Sequence, residues 1–469
     1  MKQRTIASLL LALGATCSFS LQGATCIPLT PDGAGLQGCL DTTMSGDTIL
    51  LSPGVYSPPN ALVFPAPEGR TFFIDKALTI KGVGSNTNTI LSGSLEDANA
   101  YSVMLIATQG GAVTLENLTI SNGDASGGFQ VGGGIVGGSN QNVTLNNVVV
   151  ADNHALTGGG GIWMGDGSHW VINDSSFINN SSSDFGGAIA MFSLFSGMPI
   201  SLSVSNSEFV DNTAMNFGGA IDVFSYEQVG ASFSVSDSRF TDNSTGTQGI
   251  RGGAISAEFF ERASDSPTGE IINSYFSDNR SIDGGAVYLS GGKFTVSGNT
   301  FRRNVADGSG GGLMLDSSFR GNVLDDNKFK HNRAAASGGG LYNRSIVSSL
   351  TNSEFKSNCA ADGGGLFNTT DPNRENPSLA VTGVIELIKN VSFKQNHAIG
   401  SGGAIVNLTA DGTSPFEQAS INELSDSDIK SNWAETADAG ISDPNSGVQI
   451  ADKVKIKNNK IGGNCPNNI

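Results

Sequence analysis

The stretch Phe276-Ser-Asp-Asn279-Arg-Ser-Ile-Asp-Gly284-Gly-Ala-Val287-Tyr-Leu-Ser-Gly-Gly-Lys293-Phe-Thr-Val-Ser-Gly298-Asn-Thr-Phe301-Arg302-Arg303-Asn304 holds one full period of a repeat, 25 residues from Phe276 to Phe301. Two motifs alternate in it, Phe-x-x-Asn and Gly-Gly-Ala-aliphatic. Between them Phe294 and Val296 sit two apart, the spacing of a strand with one face buried. Gly298 then supplies a turn that tolerates a left-handed backbone. A period of this length, filled with strand and turn signals, is near one turn of a three-faced β-helix.

The pattern extends along the chain in both directions. Phe-x-x-Asn recurs as Phe177/Asn180, Phe209/Asn212, Phe240/Asn243, Phe276/Asn279, Phe301/Asn304, Phe329/Asn332, Phe355/Asn358 and Phe393/Asn396, with weaker copies at Val150/Asn153, Ile429/Asn432 and Ile456/Asn459. Gly-Gly followed by Ala or Gly and an aliphatic begins at Gly132, Gly159, Gly186, Gly218, Gly252, Gly284, Gly310, Gly338, Gly363 and Gly402. From the motif Phe to the next glycine pair is 8 or 9 residues in every coil but one, where it is 12. From that pair to the next Phe the interval runs from 17 to 30. The constant part is scaffold, and the variable part carries loops. Leu202/Val204 and Phe233/Val235 repeat the alternation, and Asn206, Asp237 and Asn273 repeat the turn.

Stacking gives each motif a physical task. Identical positions in successive coils lie ~4.8 Å apart. A repeated Phe therefore builds an internal aromatic column. A repeated Asn bonds its amide to the Asn above and below, which satisfies polar groups that the stack buries. Paired glycines allow a sharp turn and close approach of two backbones. Val, Thr, Ser, Asn and Gly dominate and no 3.6 period recurs, so a helical solenoid is disfavoured. The expected fold is all-β, a single-domain right-handed parallel β-helix with terminal caps.

Bulk composition agrees. The chain has 469 residues and 63 glycines, about twice the usual ~7% share, and these cluster at intervals. A hydrophobic share of 38% is low for a globule but suits a solenoid, much of whose every coil faces water. The formal charge of −17 argues against nucleic acid or an anionic membrane as a general partner.

The N-terminus reads as a secretory signal. Lys2 and Arg4 are followed by a short apolar run from Ile6 to Leu13, with Ala24 as the cleavage point. No later segment is apolar enough to span a bilayer as a helix. The reading divides the chain into a signal peptide (1–24), a cap with the first coils (25–110), β-helix repeats (111–460) and a tail (461–469). Export permits disulfides, and Cys26 and Cys39, close together where a cap belongs, are the expected pair. Cys359 is either a buried free thiol or a partner of Cys465.

Phe-x-x-Asn alternating with Gly-Gly-Ala-(Ile/Leu/Val) resembles the passenger repeats of the chlamydial polymorphic outer membrane proteins, over roughly residues 110–460. The resemblance implies a β-helix passenger, exposure at the cell surface or outer membrane, and adhesion to host cells, with the quoted Phe/Asn and Gly-Gly pairs as its motif residues. That family ends in a translocating β-barrel with an aromatic C-terminus. This sequence closes on Asn464-Cys465-Pro466-Asn467-Asn468-Ile469 without a preceding series of amphipathic strands, so the likeness covers the passenger alone.

Stacked coils also turn outward positions into columns. The residue after each motif Phe (or Ile) reads Arg302, Lys330, Lys356, Lys394, Lys430 and Lys457 in the later coils, and Ile178, Val210, Thr241 and Ser277 in the earlier ones. Cations so spaced repel one another unless countered. They form either a groove for a polyanionic glycan or a solvated stripe offset by acids such as Glu354 and Asp428. The next position holds Asp152, Asp211, Asp242 and Asp278, which read as solvated turn residues rather than a Ca²⁺ site, since the calcium-binding nonapeptide is absent.

Other chemistry is thin. The four histidines, His154, His169, His331 and His397, show no metal spacing. Trp163 and Trp170 flank a Gly-Asp-Gly turn, as sugar-stacking rings or as buried ones. Asp325–Asp326 near Lys328, Lys330, His331 and Arg333 is the best acid-base cluster, though adjacent strand residues face opposite ways. No cofactor is implied. The leading expectation is a non-catalytic, adhesin-like binder of a host-cell receptor or polysaccharide. The rival is an extracellular lyase or hydrolase acting on acidic glycans, which the loops at Phe259–Gly269 and Phe367–Ile385 would have to shape. The sequence sets no oligomeric state.

Overall fold

The computed structural model describes residues 15–18, 23–28, 30–58, 71–93, 101–127, 130–193, 198–226, 231–246, 250–260, 268–317, 321–370, 383–409 and 418–462. The expected signal peptide (save 15–18 and 23–24), Cys465, most of the tail and the centres of both candidate cleft loops lie outside these residues. The chain divides into two compact units: Met1–Ala214 with Ala220–Asp222, and Met215–Gly219 with Val223–Ile469. Each has the architecture of a right-handed parallel β-helix.

In the first unit one coil runs as follows. A five-residue strand, His169–Asn173, alternates outward and inward side chains, with Trp170 and Ile172 buried. Asp174 turns the chain at φ 51°. The three-residue strand Ser176–Ile178 points Phe177 inward. Asn179 turns it again at φ 53°, and Asn180 follows, fully buried. Next come the two-residue strand Ser181–Ser182 and, past Gly186, the strand Ile189–Ser193. A coil therefore has four strands where the period predicted three faces. The extra strand is only two residues long, too short to show any alternation. Each strand pairs in parallel with its equivalent one coil away, as His169–Asn173 does with Asn142–Asn146 and Ser176–Ile178 with Val149–Ala151. The N-terminal strand Thr25–Pro28 and the helix Gly33–Thr42 are joined by a Cys26–Cys39 disulfide.

The second unit repeats the plan. Phe240–Phe276, Phe276–Phe301, Phe301–Phe329, Phe329–Phe355 and Phe355–Phe393 stack with ring centroids 4.9, 5.0, 4.8, 4.6 and 4.7 Å apart and planes within 10°. In the first unit Phe177 and Phe209 stack at 4.7 Å. The rings are this near because strand spacing sets their separation, and each is completely buried.

Beside the rings runs the Asn ladder. Asn304 Nδ2 donates to Asn332 Oδ1 (3.0 Å) and to the Phe276 carbonyl (3.0 Å), while its backbone N–H also donates to Asn332 Oδ1 (3.1 Å). Asn332, Asn358, Asn396 and Asn432 repeat the set, as Asn153 and Asn180 do in the first unit. Asn212, fully buried, is the next rung there. Its Oδ1 accepts from the backbone N–H and the Nδ2 of Asn180, both at 3.0 Å, and its own Nδ2 donates to the Phe177 carbonyl at 2.9 Å. In the second unit Asn243, also fully buried, donates to Asn279 Oδ1 from its backbone N–H (3.0 Å) and from Nδ2 (3.1 Å). Asn279 hands the pattern on to Asn304 and bonds the Phe240 carbonyl.

Rungs such as Asn180 and Asn304 thus use both donor hydrogens and both acceptor lone pairs, which is what zero exposure demands. A further ladder, Asn343 to Asn368 to Asn407, runs inside the strands that follow the glycine pairs. Each of its members stands five residues after the first glycine of a pair, at Gly338, Gly363 and Gly402.

The glycine pair has a steric cause. The first member of each sits in the left-handed region, at φ 63° for Gly284 and 72° for Gly310. A Cβ on the second would collide with the next coil, 2.4 Å from the Gly339 carbonyl oxygen in the case of Gly311. Cys359 is disulfide-bonded, so the free-thiol alternative falls.

Candidate functional site

The strand register of the second unit sets the cations in one outward line. Ser277 aligns with Arg302, Arg302 with Lys330, Lys330 with Lys356, Lys356 with Lys394, Lys394 with Lys430, and Lys430 with Lys457. One cation therefore stands on each of six consecutive coils. Every one of them is at least partly solvent-accessible, because the neighbouring Phe or Ile occupies the inward position. The motif residues themselves, Asn212 and Asn243 as much as Phe329 and Asn332, are buried and shape the coil. A partner would touch the outward columns beside them.

Two columns flank this line. On one side the register carries Thr300, Lys328, Glu354, Ser392, Asp428 and Lys455. On the other lie the left-handed turn residues Arg303, His331, Ser357, Gln395, Ser431 and Asn458. Two carboxylates anchor two of the cations: Lys330 Nζ lies 2.7 Å from Glu354 Oε2, and Lys430 Nζ 2.9 Å from Asp428 Oδ2. Arg303 grips Asp278 with two hydrogen bonds of 2.7 and 2.6 Å. Among the described residues Arg302, Lys356, Lys394 and Lys457 have no ion-pair partner.

The local field is positive. Partial burial raises the Glu354 carboxyl, but the bond and charge of Lys330, with Lys356 and Lys394 beyond, outweigh it and hold the pKa below the ordinary value. The hydrogen bond from Lys430 does the same for Asp428, helped by the charges of Lys430, Lys455 and Lys394. His331 is pushed down by burial first and then by Arg302, Lys356, Arg303 and Lys330. An imidazole among four cations resists taking a proton.

The acid-base cluster dissolves into structure. Asp325 accepts hydrogen bonds from Thr351 Oγ1 (2.6 Å) and Asn352 Nδ2 (2.7 Å). Asp326 is an exposed turn residue at φ 49°. The turn aspartates fare likewise: Asp152 accepts from Asn179 and Asp278 is held by Arg303. Among the described residues no group of three or more His, Cys, Asp or Glu is placed to hold a metal ion. Trp170 is buried on a strand rather than at a turn, and half-buried Trp163 stacks on Phe192 at 5.5 Å.

A second cluster of charged side chains sits on and just before the strands that follow the glycine pairs in the second unit. Arg251 pairs with Glu258 and lies 4.7 Å over the Tyr288 ring. The Tyr288 hydroxyl donates to Asp316 Oδ2 (2.6 Å). Arg344 donates to both Asp316 oxygens, each at 2.8 Å, and Ser317 Oγ donates to Oδ1. Burial raises the Glu258 and Asp283 carboxyls and the Tyr288 phenol. It would raise Asp316 too, but Arg344 and Tyr288 overcome it and the pKa falls. Glu258, Asp316 and Tyr288 are 5%, 4% and 1% exposed, and their polar atoms bond within the cluster. Glu258, Tyr288, Asp316 and Arg344 come one to a coil on the strand after the glycine pair, where the sequence interval begins to vary, and Arg251 immediately precedes the pair at Gly252.

Charge is divided along the chain in a way that a simple count would have revealed. No Lys or Arg occurs between Lys81 and Arg239, whereas the coils from Arg302 onward are rich in both. Among the described residues no helix is long and apolar enough to cross a membrane.

No curated protein matches the chain. Among solved structures it is similar to a rhamnogalacturonan lyase (13% identity, 85% of this chain and 82% of that one, TM-score 0.35). It is also similar to a PL6 family polysaccharide lyase from Pseudopedobacter saltans (12%, 91% and 92%, TM-score 0.40). A third is the catalytic domain of a GH87 alpha-1,3-glucanase (13%, 87% and 64%, TM-score 0.37). Likenesses at this level carry no argument about chemistry. A Chlamydia polymorphic membrane protein repeat matches residues 390–407, which contain Phe393, Asn396 and the Gly402 pair. The family model described as the right-handed β-helix region matches residues 79–259 and 262–379, well over half of the sequence, and the chain belongs to that family.

Proposed function

We propose that this protein is an exported, surface-associated β-helix that binds acidic polysaccharide in an adhesin-like, non-catalytic role. The observation that carries the proposal is the basic line itself: six cations in register, one to a coil, in a chain of formal charge −17. Holding like charges ~4.8 Å apart costs Coulomb energy that a stable fold has no need to accept. Among the described residues only two of the six are neutralised by ion pairs with neighbouring carboxylates. A polyanion would neutralise the rest. The polymorphic membrane protein repeat supports surface display at the outer membrane, and a host-cell glycan or receptor as the partner.

The test is binding of the mature protein to immobilised acidic and neutral polysaccharides and to host cells, with unsaturated-sugar release followed by ultraviolet absorbance. Acidic glycans should bind, neutral ones should not, and affinity should fall as salt rises. The Lys330→Glu/Lys356→Glu/Lys394→Glu variant should lose about tenfold or more, roughly 1.4 kcal/mol. Wild-type binding by that variant, or release of unsaturated product, would overturn the proposal.

A further inference from the structure

We infer that the bound polymer lies along the line of stacked cations, as a linear glycan with an anionic group on every sugar, and that about six sugars fill the site. The inference rests on the binding role proposed above and adds orientation, charge pattern and length to it.

Orientation follows from the flanking columns. A chain running parallel to the strands would leave the cation line for the column of Thr300, Lys328, Glu354, Ser392, Asp428 and Lys455, where the carboxylates of Glu354 and Asp428 offset the two lysines. A chain running along the line meets a cation at every step. On its other side it meets Arg303, His331, Ser357, Gln395, Ser431 and Asn458, which are polar without exception and none of them acidic. Sugar hydroxyls can bond to such a column without repulsion. The lane is thus basic on its axis, polar on one side, and bounded on the other by a mixed column in which Glu354 and Asp428 offset Lys328 and Lys455.

Charge pattern follows from the repeat distance. Consecutive cations are one strand spacing apart, ~4.8 Å, which is close to the length of one sugar in an extended chain. A polymer charged on every sugar can match each coil. One charged on alternate sugars meets half of the cations. Length follows from where the line begins and ends. Ser277 precedes Arg302 in the register, and Lys457 is the last member among the described residues. The five intervals from Arg302 to Lys457 span about 24 Å. No Phe, Tyr or Trp occurs in the line or its two flanking columns, where a run of stacking rings would serve a single-stranded nucleic acid.

Size-fractionated oligouronates of two to ten sugars, an alternating uronate–hexosamine series and single-stranded homopolymer DNA would be titrated against the full chain. Oligouronate affinity and the salt dependence of Kd should climb with length and level off at about six sugars. Equal-length alternating oligomers should bind at least about tenfold more weakly. Lys430→Ser/Lys457→Ser, at one partly buried and one exposed outward position, should shorten the plateau to about four sugars. A plateau that ignores this double variant, or equal binding of the two glycan series at equal length, would overturn this inference and leave the binding role standing. Tighter binding of DNA than of oligouronate would also overturn it. If no acidic oligosaccharide binds, the binding role itself fails.

Discussion

The strand that carries the motif Phe is the same object in both units, yet its outer side differs completely. In the first unit the outward residue is Ser121, Ala151, Ile178 and Val210 on successive coils. In the later coils of the second it becomes Arg302, Lys330, Lys356, Lys394, Lys430 and Lys457. Inside, Phe177 on Phe209 and Phe301 on Phe329 stack at 4.7 and 4.8 Å. The difference teaches that stacking constrains only the inward half of each coil. Every inner position must fit its copies above and below, whereas an outer position answers to solvent and partner.

The largest expected effect would come from breaking the shared part. Phe329→Ala and Phe177→Ala should each cost about 3–5 kcal/mol, because each opens a cavity in a fully buried ring column. Denaturant midpoints would show it, and an inner column that tolerated Ala in either unit would refute the equivalence. Asp316→Ala should cost a similar ~3–5 kcal/mol, since it removes the buried carboxylate that holds both Arg344 and the Tyr288 hydroxyl. That penalty belongs to the second unit alone. Replacing Asn304 or Asn180 by Ala should cost about 1–3 kcal/mol, the price of leaving neighbouring donors and a carbonyl unsatisfied.

Outer changes should be small for stability and large for binding. Lys356→Glu/Lys394→Glu and Val210→Lys should each move stability by no more than about 0.5 kcal/mol. Only the former should weaken acidic-glycan binding. A pH titration of stability gives the finest comparison. The folded pKa of His331 is depressed, so its contribution is present above its unfolded pKa and is lost as pH falls through the folded value. Glu354 and Asp428 are also depressed, and their contribution disappears at lower pH, below the ordinary carboxylate range. His331→Gln should remove the first loss and leave the second. An unchanged profile would show that the surrounding cations do not act on this imidazole.

Most of the fold was legible in the residues. Phe294 and Val296, two apart and both buried, and Asn206 and Asp237 at φ 46° and 48° are positions where pattern and backbone demand coincide. The alignment of the cation line was legible as well, because it inherits the register of the Phe column. The two-residue strands were not, since a single inward residue such as Ala306 or Ala334 has no period. The Arg251–Glu258–Tyr288–Asp316–Arg344 network was not legible either. Its members occupy outward positions that a repeat leaves unconstrained, and their burial depends on what covers that face.

The sequence by itself determined the coil, its aromatic and asparagine columns, and which residues would share an outward line. Those follow from one rule, that each position stacks on its own copy. Tertiary structure alone decided which of the outward charges are neutralised and which stay available. Glu354 reaches Lys330 and Asp428 reaches Lys430 while Lys356 and Lys394 go without an ion-pair partner among the described residues. Ion pairing depends on side-chain reach between neighbouring columns, and no one-dimensional spacing encodes that distance.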